Sequence, residues 1–149
     1  MSAGLAEPSR GATVRPMAKT PAIAPSLDDL ERIARAEFKR LPRKLARHVE
    51  GVVIRVADFP DAATEREMGL ESPFDLLGLY HGVAIGEKSV TATPEDVDMI
   101  FLYRRPILDY WCETDEELSH LVRHVLIHEI GHHFGFSDDD MERIEAEAG

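Results

Sequence analysis

"DEELSHLVRHVLIHEIGHHFG", residues 115 to 135, decides how the rest of the chain is read. It predicts the strongest helix in the sequence. Thr114 or Asp115 can cap its start, Glu116 and Glu117 sit in the first turn where acids suit the helix dipole, and Gly135 can end it. On a helix, residues four apart lie one turn apart on nearly the same face, so His128 and His132 can point imidazole nitrogens at one metal ion. Glu129 is about 100° further round, beside such an ion rather than on it, where its carboxylate can take a proton from water. The pattern is His-Glu-x-x-His.

Five residues are too few to carry that reading, and the context supplies the rest. The helix is expected to stop at "FGFSD", because Gly135 can adopt the left-handed conformation that turns a chain back. Three residues later Asp138 can reach a third coordination position. The spacing of "HEIGHHFGFSD" matches the zincin pattern, with aspartate where metzincins usually carry histidine. A closed structural zinc site uses four protein ligands, often cysteines, whereas three ligands leave one position open for chemistry.

The remaining polar residues of the segment have quieter readings. Asp138 is also placed to cap a terminal helix over "DDDMERIEAEAG", and Asp139, Asp140 and Glu142 compete with it as third ligand. His133 points about 100° away from His132 and reads as a packing residue or a support for the ligands. His120 and His124 continue the four-residue spacing backwards, but the stripe drifts about 40° per step. They read as helix-flank histidines, with His124 able to hydrogen-bond a ligand from behind. Gly131 costs roughly 1 kcal/mol against alanine inside a helix, which points to the close approach of another element. Cys112, the only cysteine, reads as a lone buried thiol; it excludes an internal disulfide and fits a reducing compartment.

At these residues the chain resembles the small bacterial minimal zincins, metzincin-like metallopeptidase-domain proteins. The resemblance rests on "HVLIHEIGHHFGFSDDDMERIE", with "SPFDLLGLYHGV" and "IFLYRRPILDYWC" also similar, and covers roughly residues 45 to 147. It implies a compact zincin core in which His128, His132 and Asp138 bind zinc and Glu129 is the general base. The chain departs from typical metzincins after Asp138, where eleven residues leave little room for a methionine turn; Met141 is the candidate substitute.

The other segments fit one α+β domain over residues 26 to 149, a small mixed sheet packed on helices, behind a disordered tail over residues 1 to 25. Ser26 caps a predicted helix with Asp28 and Asp29 in its first turn and Leu27, Leu30, Ile33, Ala34 and Phe38 at helical spacing. Pro42 sets its end, and a second short helix is expected over "KLARHVE". "GVVIRVADFP" suits a well-buried strand, "DAATEREMGL" a helix or loop, and "SPFDLLGLYHGVAIGEKS" a pair of short strands. "DMIFLYRRPIL" reads as a strand whose last residues approach Pro106.

A formal net charge of −11 over 149 residues argues against attraction to nucleic-acid phosphates. Arg32, Arg35, Lys39, Arg40, Arg43, Lys44 and Arg47 nevertheless crowd one segment, read as a solvated helix face that partly complements the acidic end. No apolar run approaches the roughly 20 residues that span a bilayer. The tail lacks the apolar stretch of a secretory signal, so a cytoplasmic protein is expected. The function expected is hydrolysis of peptide bonds in a peptide or protein substrate, with Tyr80, Tyr103, His81 and Arg104 as candidate oxyanion partners and "GLYHGVAIG" or "IFLYRRP" as the substrate-pairing strand. The alternatives are a metallo-endoribonuclease with ligands at the same offsets and a non-catalytic zinc-binding module.

Overall fold

A computed structural model describes residues 23–82 and 97–148. Most of the expected tail, and the second of the two strands expected in "SPFDLLGLYHGVAIGEKS", lie outside these residues.

The chain opens with helix α1 (Leu27–Lys39), whose Ser26 cap and Asp29 bond each other's backbone amides in a reciprocal capping box. Helix α2 (Arg43–Ala46) follows Pro42. Strand β1 (Val53–Ala57) leads to helix α3 (Ala62–Met68), capped by Asp61 and ended by Gly69 at φ 65°. A single 3₁₀ turn (Pro73–Asp75) precedes strand β2 (Gly78–His81). Strand β3 (Met99–Tyr103) runs into helix α4 (Arg104–Cys112), and helices α5 (Leu118–His133) and α6 (Asp138–Ala148) follow.

The sheet has the order β1-β3-β2. β3 lies in the middle, parallel to β1 from Val53 opposite Met99 to Ala57 opposite Tyr103. It is antiparallel to β2 from Gly78 opposite Leu102 to His81 opposite Met99. This is a mixed sheet packed on helices, the α+β class expected.

Helix α5 is the axis of the packing. It meets α1, α4, α6 and β2, and its Leu121, Val122, Val125, Leu126, Ile127 and Ile130 are all buried. Leu30 and Ala34 of α1, Ile100 and Leu102 of β3, and Met141 and Ile144 of α6 close the same core. Gly78 lets β2 approach α5 closely, since a Cβ there would lie 2.7 Å from Val125 Cγ1. Among the described residues no helix is long and apolar enough to cross a membrane.

Four expectations need correction. α5 starts at Leu118 behind Glu117, which makes no side-chain cap bond, so neither Thr114 nor Asp115 caps it and Glu116 and Glu117 lie ahead of its first turn. β1 is an edge strand among the described residues, with Ile54 buried and Arg55 exposed, because its β-branched run covers one face only. "DMIFLYRRPIL" is a strand only to Tyr103. Pro106 is the third residue of α4, where the first-turn amides lack helical partners anyway and proline's missing N–H costs little. Cys112 is exposed at the end of that helix rather than buried.

Three residues of the basic segment pair with acids of α1. Arg32 meets Asp29, Arg35 meets Glu31, and Arg40 meets the buried Glu37. Lys44 does lie close enough to Asp140 to help lower its pKa, behind the larger effect of Ser137 hydrogen bonds.

Candidate metal centre

The end of α5 and the start of α6 form one corner. Gly135, at φ 82°, turns the chain after α5, and the Phe136 amide bonds back to Gly131 O at 2.8 Å. The cap of α6 is Ser137, whose hydroxyl accepts from the Asp140 amide while the Asp140 carboxylate accepts from the Ser137 amide. Asp140 is thereby committed to capping and to an ion pair with Arg143. Asp138 is left free of that role, its side chain 88% exposed.

The two helices then lie side by side. A Cβ on Gly131 would fall 2.3 Å from Met141 Sδ, so the glycine admits the buried Met141 of α6 directly against α5. His132 Nε2 stands 3.8 Å from Asp138 Oδ1. His128 Nε2 stands 3.0 Å from Glu145 Oε1, and the other oxygen of Glu145 is 2.8 Å from His124 Nδ1. Of the three ligands expected from sequence, the structure therefore joins His132 to Asp138 and turns His128 to Glu145. Among the described residues, His124, His128 and Glu145 form a group whose possible ligand atoms all lie within 4.8 Å of one another.

Glu129 lies one residue round the helix, partly buried, and its Oε1 accepts the Tyr80 amide of β2 at 3.3 Å. Burial raises its pKa, and the Tyr80 hydrogen bond and the nearby His132 oppose that rise. The base expected from sequence is thus tied to strand β2.

A family model described as zincin-like metallopeptidase matches residues 49–148. The chain belongs to that family. No curated protein matches it. Membership in the zincin-like metallopeptidases implies a metal cofactor, usually zinc. The chemistry of the donors present fits that ion: imidazole nitrogens and carboxylate oxygens, with no cysteine in the group, converge where α5 and α6 meet.

The surroundings sort the other candidates of this zincin-like site. The Tyr80 hydroxyl donates to Asp98 Oδ2 at 2.8 Å, and its ring stacks on His133 with centroids 3.9 Å apart. Tyr80 and His133 are therefore packing partners at the wall of the site. Tyr103 is buried, and burial pushes its hydroxyl up to about 12, with the charge of Glu129 among the lesser causes. Arg104 donates to Pro25 O and pairs with Asp58 Oδ1 at 3.1 Å. His81 is exposed at the end of β2.

The residue that sequence reasoning missed is Glu145. A signal was present: it lies seven residues after Asp138, two turns on and on the same face of α6.

Proposed function

We propose that this protein is a zinc-dependent metallopeptidase that hydrolyses peptide bonds in a peptide or protein substrate, with Glu129 as general base and His128, His132 and Asp138 as the residues that hold the ion. The observation that carries the proposal is the setting of Glu129, a partly buried carboxylate flanked by the motif histidines and bonded to a backbone amide of β2. A base raised by burial is better matched to proton transfer near neutral pH than an ordinary carboxylate.

β3 is flanked on both sides, so "IFLYRRP" has no free edge to offer, whereas β2 is an edge among the described residues. An extended substrate would add to the sheet along β2, next to Glu129. Zinc held by the motif residues would polarise the scissile carbonyl. Glu129 takes a proton from the attacking water as its oxygen bonds to the carbonyl carbon. The same carboxylic acid then gives that proton to the departing amine nitrogen as the C–N bond breaks. The net charge of −11 favours a peptide over a polyanionic nucleic acid as the strand accommodated here.

The test is Glu129→Gln, which keeps the shape and the contact to the Tyr80 amide but cannot accept the proton. Zinc content is expected to stay at the wild-type level while hydrolysis falls by about 10²–10⁴-fold. Zinc-loaded wild type that cuts nothing in a broad peptide library would refute the peptidase reading.

A further inference from the structure

Helix α5 carries the same arrangement twice. His124, Val125 and His128 occupy, one turn earlier, the helical places that His128, Glu129 and His132 occupy in the motif. Helix α6 repeats as well, because Asp138 and Glu145 are seven residues apart on one face. As α6 returns along α5, Asp138 stands beside His132, Met141 packs against Gly131, and Glu145 stands beside His128 and His124. The earlier turn thus pairs two histidines with one carboxylate, while the motif turn brings Asp138 to His132.

The earlier turn is the more closely assembled of the two. Glu145 presents one oxygen to each ring, at 2.8 Å from His124 Nδ1 and 3.0 Å from His128 Nε2. The two imidazoles lie with centroids 4.0 Å apart. We propose that His124, His128 and Glu145 form a second seat for a divalent cation of the zinc class, alternative to the motif seat. Two imidazole nitrogens and one carboxylate oxygen are a donor set that zinc accepts.

The two seats exclude each other, a claim that rests on the motif reading above. Both use His128 Nε2, and one ring nitrogen has a single lone pair to give. The second seat also lacks a base. The position that corresponds to Glu129 is Val125, which is buried and has no proton to exchange. An ion seated there is held by the chain without the group that activates water. The structure thus contains a storage position one helical turn, about 5.4 Å of rise, from the productive one.

The test removes the motif seat and asks whether binding survives. In the full chain, the double variant His132→Ala, Asp138→Ala is titrated with Zn²⁺ by calorimetry and with Co²⁺ by visible absorption, and folding is followed by circular dichroism. Both side chains are more than half exposed, so the fold is expected to persist. The double variant is expected to bind one equivalent, and adding Glu145→Gln or His124→Ala to weaken that binding at least tenfold. If the added substitution changes nothing, or the double variant binds no metal, the second seat is refuted. Wild type is expected to bind one equivalent in total; two would overturn the exclusion. If alanines disturb the fold, His132→Gln with Asp138→Asn serves the same comparison. Because the readout is metal binding without the motif seat, a wild type that hydrolyses no peptide would sink the peptidase reading and leave this one standing.

Discussion

Helix α6 has two faces that do different work on the same helix, α5. Met141 and Ile144 are almost wholly buried, and Met141 sits against a bare glycine backbone. Asp138, three residues before Met141, has a side chain 88% exposed and stands 3.8 Å from His132 Nε2. The buried face fixes where α6 lies, and the exposed face presents carboxylates to the histidines of α5. Stability and chemistry are therefore separable at this corner, although the residues concerned are neighbours in sequence.

The largest effect expected from breaking that separation is on stability. Met141→Ala removes a fully buried side chain and leaves a cavity beside Gly131, at a cost of about 2–5 kcal/mol measured by denaturant unfolding. Metal affinity should fall with it, because Asp138 and Glu145 are carried by the helix that loosens. The opposite experiment sharpens the contrast. Asp138→Ala on the exposed face should leave unfolding within about 0.5 kcal/mol of wild type for the metal-free protein. Its zinc affinity should drop by at least about tenfold, roughly 1.4 kcal/mol, read by competition with a chelating dye. Equal stability losses in the two variants would show that the faces are not separate after all.

What could be read from sequence follows the same division between local and non-local causes. The cap at Ser26, the turn at Gly135 and the histidine face of α5 depend on residues within a few positions of one another, so the chain declares them. The close approach signalled by Gly131 was legible as well, although its partner Met141 was not. The junction at Tyr103 was missed because Pro106 suggested the end of a strand, while its actual place is the first turn of α4. β1 looked buried because its residue types are those of an interior strand; among the described residues it pairs with β3 on one side only.

The site was partly legible for the same reason. His128, Glu129 and His132 share one helix, and their mutual placement follows from its period. The carboxylates arrive from a second helix, and which of them meets which histidine depends on how α6 returns. Asp138 stands beside His132, and Glu145, two turns further along α6, takes the place beside His128. The tie between Glu129 and the Tyr80 amide spans 49 positions and is likewise a product of the tertiary fold.

The most direct test of the zinc-peptidase account is a crystal structure of the zinc-loaded protein with an anomalous difference map collected at the zinc edge. The account predicts a peak beside Glu129, held by His128, His132 and Asp138. A wild-type protein with no zinc peak at those three residues would contradict it.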